Sequence, residues 1–434
     1  MGYYNQETET APRDQLEALQ WRKLRSLLDT TFARNPFYQR KYASYGVVAQ
    51  DIRDLGNISK LPFVTKAEFQ EDQGEHPPFG TNLSEPLESY VQYHQTTGTT
   101  GRPLTWLDTA ECWQWRARCV AHALRGAGLT SKDILFLPFN FGPYTAFWGA
   151  YEAAQHLGLL TIPGGGWDTM QRIHCLLATG ATAVAITPTY AQRIGEVAQE
   201  AGLDLRGSKV HAVILGGEPG AMVPTIRARI EDAWGAEVFE YAGLTETGTY
   251  AFTCEHSAQT MAIHAIESEF IVEVIDPKTG CAVPEGTIGE LVLTNLGRAC
   301  SPVIRFRTGD LVQLERTVCP CGRTLAALKG GILGRRDDML LVRGVNVFPS
   351  AVGSIVEELL PPGHEYQVVC FTGREGTDDI KVRVETSPED EELRNALSQR
   401  LKERLNLRIE VEAVAVGTMP RSDYKSKRII RQSH

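Results

Sequence analysis

The chain has 434 residues, 42% hydrophobic and 22% charged, which is enough for two or more domains with well-buried cores. Its formal net charge of -9 offers no basic field to a nucleic-acid backbone or an anionic membrane surface, so neither partner is expected, while a small anionic ligand needs only local cations. The first twenty residues lack the basic, apolar and small-residue sections of a signal peptide, and no run of eighteen apolar residues follows; the expected setting is the cytoplasm. Nine cysteines, an odd number, argue for reduced thiols rather than a disulfide framework. Cys112, Cys119, Cys175 and Cys370 stand among apolar neighbours as small core residues.

In chain order, Leu16, Leu19, Leu24, Leu27, Leu28 and Phe32 recur at helical spacing behind Pro12, predicting a helix over Asp14 to Phe32. Beyond Lys60 the apolar runs DILFLPF, GLLTIP, ATAVAITP, HAVILGGEP and EVFEYAG alternate with helix-like stretches, the pattern of a parallel α/β sheet. Several runs end in glycine or proline, which puts turn residues at the carboxyl edge of the strands, where open parallel sheets bind ligands. From Glu269 the chain becomes strand-rich, with FIVEVID, GELVLTN, PVIRFRTGDLVQL and DMLLVRGVNVF. A smaller piece follows, with strands EYQVVCFTG and DIKVRVET, a helix from Pro388 to Leu405 and IEVEAVAVG as the last strand. The charged cluster Gly334 to Met339 falls at the junction and suits a hinge. The expected fold is α/β, a large domain of parallel sheets flanked by helices over 1–333 and a small mobile α+β domain over 334–434.

The stretch QTTGTTGRPL, Gln95 to Leu104, lacks the lysine of a Walker-type loop. Its glycines still allow close backbone approach, and its N–H groups and hydroxyls can surround phosphate oxygens; a plain turn is the other reading. Four further segments accompany it in order: YAGLTETG from Tyr241, RFRTGDL from Arg305, GRRDDMLLVRGVNVFPS from Gly334 and PRSDYKSKR from Pro420. Together the five resemble the acyl-adenylate-forming superfamily, in its phenylacetate-CoA ligase branch, over nearly the whole chain. In that family a carboxylate attacks the α-phosphate of ATP, and coenzyme A captures the acyl-adenylate.

The resemblance implies a role for each matching residue. Thr96, Thr97, Gly98, Thr99, Thr100 and Gly101 would hold the β and γ phosphates, and Glu246 would bind Mg²⁺, for which a hard oxygen ligand is required. Asp310 would accept hydrogen bonds from the ribose hydroxyls, with Arg335 on ribose or phosphate. Glu218, Pro219, Tyr241, Ala242, Gly243 and Thr245 would frame the adenylate. Lys425 would neutralise charge at the α-phosphorus. Here Tyr424 replaces the family's glycine, and Lys427 is the substitute two positions on. Asp337 falls at the family's hinge, about which the small domain would turn to bring Arg343 and Gly344 to the pantetheine arm of CoA.

Cys254, His264, Cys319 and Cys321 resemble the structural zinc site of some members of this branch, with His256 as an alternative ligand; three thiolates and an imidazole make a closed tetrahedral set. The acyl pocket would lie among Phe139, Phe141, Tyr144, Phe147, Trp148, Gly165, Gly166, Gly216, Ala242 and Gly243, a wall of rings suited to a compact aryl acid such as benzoate, 2-aminobenzoate or phenylacetate. Some of these rings are expected to be ordinary core. Alternatives to the CoA ligase are a free-standing adenylating enzyme that loads a carrier protein and an inactive nucleotide-binding protein. A homodimer is what the resemblance suggests.

Overall fold

The computed structural model describes residues 2–96, 103–338, 340–342, 345–361, 363–372, 378–421 and 428–432. The leading helix runs Arg13–Arg34, slightly longer than predicted at each end. It buries Leu16, Leu24, Leu27 and Leu28, the apolar stripe read from the sequence.

The large domain is built on one twelve-stranded sheet and a separate hairpin, β1 (Tyr90–Gln95) paired antiparallel with β2 (Thr105–Thr109). Five strands of the sheet are parallel in the order β4, β3, β5, β6, β7: β3 (Ile134–Leu137), β4 (Leu160–Pro163), β5 (Ala183–Ile186), β6 (Ala212–Gly216) and β7 (Glu237–Leu244). Every residue of AVAI in β5 is buried, because helices cover both faces of a parallel sheet and leave no side for polar residues. Helix Pro188–Glu200 packs on Pro224–Trp234, and Ala110–Gly126 packs on Thr145–His156.

The remaining strands give the strand-rich stretch read from Glu269 its place, as an antiparallel extension of the same sheet. From β7 the sheet continues antiparallel through β8 (Gly248–Phe252), β9 (Ala262–Ala265), β10 (Phe270–Ile275), β11 (Ile288–Asn295), β12 (Phe306–Glu315) and β13 (Ala327–Lys329), in the order β8, β9, β13, β12, β11, β10. The two-residue strand β14 (Gly334–Arg335) pairs with β12 and places Arg335 opposite Asp310. The run predicted from Pro302 becomes a strand only at Phe306, since Arg305 adopts the left-handed region at φ 48° and turns the chain.

The small domain has a hairpin, β15 (Leu340–Val342) with β16 (Val345–Val347), and a four-stranded sheet in the order β19, β18, β17, β20. Its strands are β17 (Tyr366–Thr372), β18 (Asp378–Glu385), β19 (Glu410–Val414) and β20 (Ile429–Gln432). IEVEAVAVG is therefore not the last strand: β20 returns parallel to β17. Helices Pro349–Leu359 and Glu391–Leu405 cover the sheet, the second capped by Asp390. The apolar core of this piece contains residues from Leu340 to Val411 alone, separate from the two clusters of the large domain.

Candidate active site

The candidate residues lie at the ends of β6 and β7 and on the β12–β14 pair, with the Glu246 carboxyl near enough to Asp310 that, beside burial, it helps raise the Asp310 carboxyl. Strands β6 and β7 bring Gly216 opposite Tyr241. A Cβ at position 216 would lie 2.9 Å from Cζ of Tyr241, so a side chain there would displace the tyrosine ring. Gly243 is equally constrained, with Thr249 Cα 3.0 Å from where its Cβ would be. Glu218 accepts a hydrogen bond of 2.7 Å from Thr189 Oγ1. The loop carrying Glu218 and Pro219 is held by a residue the sequence reading missed. Glu240, buried, accepts from the backbone N–H groups of Gly220, Ala221 and Met222 on one oxygen, at 3.1, 2.6 and 3.3 Å. Burial pushes its carboxyl up to about 7, against the pull of those donors.

Glu246 sits in the turn between β7 and β8 and is buried. Its Oε1 lies 3.3 Å from Lys66 Nζ, so the pocket around this carboxylate already accommodates a cation. Lys66 was not singled out from the sequence; it stands at the start of helix Lys66–Glu75, behind a Thr65–Glu68 capping box. Asp310 is buried on β12 and takes Arg335 Nη1 at 2.7 Å. Burial raises the Asp310 carboxyl to about 6, with Arg335 pulling it back down. Arg335 is itself exposed. Asp337 belongs to a 3-10 turn, Arg336–Asp338, directly between the two domains.

Thr96 closes the base of the phosphate-loop candidate: its N–H donates to Leu104 O at 2.9 Å, and its hydroxyl accepts from Leu104 N at 3.0 Å. Thr97, Gly98, Thr99, Thr100 and Gly101 lie outside the described residues, as do Arg343, Gly344, Tyr424, Lys425 and Lys427. The segment that leads to Lys425 is described as far as Arg421. Arg421 donates to Glu385 Oε2 at 2.7 Å and to Gly363 O at 2.9 Å, and Met419 N donates to Glu385 Oε1 at 2.8 Å. Glu385, on β18, is thus a buried anchor for the lysine segment, with its carboxyl held at about 2 by Arg421 and backbone donors in spite of burial.

The ring wall divides. Phe139 and Phe147 stack at 3.8 Å between centroids inside the main core, and Trp148 faces solvent with its Nε1 on Gly142 O. Phe141 and Tyr144 are half-buried, and the Phe141 ring centroid lies 4.7 Å from that of Trp148 and 6.0 Å from that of Tyr151. Gly165 passes close to Phe141: a Cβ there would lie 3.3 Å from Phe139 O and 3.8 Å from the Phe141 ring. Arg172, also missed, fixes this loop by donating to Gly164 O at 3.0 Å and Tyr190 OH at 2.7 Å, while Asn140 Oδ1 accepts from Gly166 N at 2.7 Å.

Apart from these residues, Cys254, His264, Cys319 and Cys321 are buried with all four ligand atoms within 4.8 Å of one another. His264, rather than His256, presents its Nε2 to the thiols. Cys254 Sγ lies 3.8 Å from Cys319 Sγ and 3.4 Å from His264 Nε2, which in turn lies 3.6 Å from Cys321 Sγ. Tetrahedral zinc, with Zn–S of about 2.3 Å and Zn–N of about 2.0–2.1 Å, sets S···S and S···N separations of about 3.8 and 3.5 Å, so the donor set fits. The neighbouring Arg323 is buried, paired with Glu9 at 2.7 Å, and Tyr3 OH donates to Cys321 O, so the first residues of the chain clasp this knuckle.

Residues 49–297 match the family described as AMP-binding enzyme, and residues 344–432 match the AMP-binding enzyme C-terminal domain. The chain belongs to the AMP-binding enzyme family. Within it the chain is 31% identical to a phenylacetate-coenzyme A ligase of Thermus thermophilus, covering 97% of both chains. It is 32% identical to one of Escherichia coli, covering 97% of this chain and 96% of that one. It is an AMP-forming acid–thiol ligase, of a family whose cosubstrates are ATP and CoA. Among solved structures, 2-hydroxyisobutyryl-CoA ligase in its postadenylation state superposes with a TM-score of 0.92 at 30% identity, over 99% of this chain and 92% of that one. The same ligase in its thioesterification state gives 0.74 over 98% and 91%. The two domains of this chain thus stand as in the postadenylation arrangement. No helix of the described residues is long and apolar enough to cross a membrane.

Proposed function

We propose that this protein activates a compact aromatic carboxylate with ATP and transfers it to the thiol of coenzyme A. The observation that carries the reading is the site itself. It has a buried carboxylate beside a cation, Glu246 with Lys66, near a ribose-type acceptor, Asp310 with Arg335, and a glycine loop that passes close to Phe141. Near-full-length likeness to phenylacetate-coenzyme A ligases supports an aryl acid, with phenylacetate first and benzoate or 2-aminobenzoate beside it.

In this reading a substrate carboxylate oxygen attacks the α-phosphorus and pyrophosphate leaves. The CoA thiolate then attacks the acyl carbon and AMP leaves with the oxygen that bridged it. Glu246 would hold Mg²⁺, which neutralises triphosphate charge when bound. Asp310 in its ionised form accepts from the ribose hydroxyls, and Tyr241 lies under the adenine. Lys425, on the segment anchored by Glu385, would meet the charge that develops at the phosphorus, with Lys427 as the alternative. Asp337 is the proposed pivot between domains at 1–333 and 334–434, and Arg343 with Gly344 would meet CoA. Zinc held by the three cysteines and His264 would be structural, since four protein ligands leave no open position.

The test is mass spectrometry of reactions with ATP, Mg²⁺ and a panel of acids, each with and without CoA. The panel includes 2-hydroxyisobutyrate, because a ligase of that acid shares this fold so closely. AMP and an aryl-CoA thioester are the expected products. Adenylates that CoA never captures would move the acceptor to a carrier protein, and preference for the aliphatic acid would overturn the aryl assignment.

A further inference from the structure

Beneath the Glu246 turn lies a cluster of charge that no motif announces. Asp108, on β2, is fully buried between two guanidinium groups, Arg116 of helix Ala110–Gly126 and Arg298 of the loop between β11 and β12. Arg116 Nε donates to Asp108 Oδ2 at 2.9 Å, and Arg298 Nε donates to Asp108 Oδ1. The outer nitrogens of both forks are directed at backbone carbonyls. Arg116 Nη2 donates to Thr245 O at 2.8 Å, and Arg298 Nη1 to Glu246 O at 3.2 Å and Ser301 O at 2.8 Å. Arg298 Nη2 donates to Leu107 O at 3.1 Å.

Three points follow. Charges this deep are costly to bury, and removing any one of them takes a partner from those that remain, so the three hold one another in place. The triad also links the two elements that would face triphosphate: Asp108 and Leu107 belong to the strand that leaves the Thr96 to Gly101 loop, and Thr245 and Glu246 form the opposite turn. Finally, two guanidinium groups against one carboxylate leave one net positive charge under the turn. The nearby His94 adds none at neutral pH. It stacks on Trp113, and burial together with Arg116 brings it down to about 4.

We infer that Arg116, Asp108 and Arg298 are positioning residues for adenylation, fixing the Glu246 turn against the phosphate-loop hairpin so that the metal–triphosphate unit meets a preset geometry. This rests on the reading of Glu246 as the metal-binding carboxylate. Arginine is needed at both positions because each fork must reach Asp108 and a carbonyl at once, which a lysine point charge does not do.

The test uses Arg298→Lys, Arg116→Lys and Glu246→Gln in the full-length enzyme. Two half-reactions are measured: acid-dependent ATP–pyrophosphate exchange across a Mg²⁺ titration, with phenylacetate or whichever panel acid is turned over, and thioester formation from the supplied acyl-adenylate and CoA. A positional shift of about 1 Å costs on the order of 100-fold, so exchange in each arginine variant is expected to fall by about that factor. The Mg²⁺ requirement should rise, and thioester formation, which needs neither ATP nor pyrophosphate, should stay near the parent rate. The milder Arg116→Lys keeps the Arg298–Asp108 pair and decides the matter if Arg298→Lys does not fold. Equal loss of both half-reactions in Arg116→Lys, or intact exchange in it, overturns the proposal. Intact exchange in Glu246→Gln overturns the metal assignment and this proposal with it, whereas loss there with intact exchange in the arginine variants overturns the proposal alone.

Discussion

The floor of the site and the domain junction are both laced with arginine–carboxylate pairs, but of different kinds. Beneath Glu246 the Asp108 triad is sealed, its arginine side chains 3% and 0% exposed. At the junction Arg335–Asp310, Arg336–Glu290 and Arg431–Asp338 have arginine side chains 43%, 39% and 54% exposed. A network sealed on both sides is expensive to break and so holds one geometry, whereas at the junction only the arginine side faces water, Asp310 and Glu290 being buried, and Arg431–Asp338 alone of these three is open to water on both sides. In the proposed reading, the sealed triad would hold the turn beneath Glu246 while the exposed arginines of the junction could re-pair. That division suits an enzyme whose related 2-hydroxyisobutyryl-CoA ligase is found in two domain arrangements.

The comparison is broken most severely by unpairing the floor. Arg298→Met leaves Asp108 with one partner, and removal of one member of a buried ion pair costs about 3–5 kcal/mol, to be read by urea denaturation. Glu246→Gln should lower pyrophosphate exchange by about 100-fold, as loss of a charge-stabilising group does, with an unchanged unfolding midpoint. The contrast is sharpened by pH. Because Asp310 is raised to about 6, its ionised form, proposed to accept from the ribose, is lost as pH falls through that value, so KM for ATP should climb from pH 7 to pH 5. The sign for stability is the reverse: burial disfavours the ionised Asp310 in the folded chain, so its contribution is fully present below the ordinary 3.8 and is lost as pH rises through about 6. The smallest effect belongs to the hinge. Arg431→Ala should change stability by less than about 1 kcal/mol while altering the ratio of the two half-reaction rates.

How much the sequence disclosed follows the same division. The parallel strands were legible because AVAI and AVILG are buried on both faces, and the leading helix because its leucines recur at helical spacing. The short antiparallel strands β8, β9 and β13 were not, being three to five residues long and stabilised by neighbours distant in sequence. The Cys254, His264, Cys319 and Cys321 set was readable by motif, though only the folded chain chooses His264 over His256. The triad was invisible because Asp108 and Arg298 stand 190 positions apart. Its one local trace is Arg116, one of two arginines inside the largely apolar WQWRARCVAHAL stretch. Glu240, Glu385, Lys66 and Arg172 act on backbone or through pairs across the fold, which no spacing rule reports.

The most direct test of the account is the fate of the carboxylate oxygen. The active acid, labelled with oxygen-18 in both carboxylate oxygens, is incubated with ATP, Mg²⁺ and CoA, and the nucleotide product is weighed by mass spectrometry. Attack on the α-phosphorus predicts AMP carrying one heavy oxygen together with a thioester that keeps the other. Unlabelled AMP, or ADP with labelled phosphate, would contradict adenylate formation at this site.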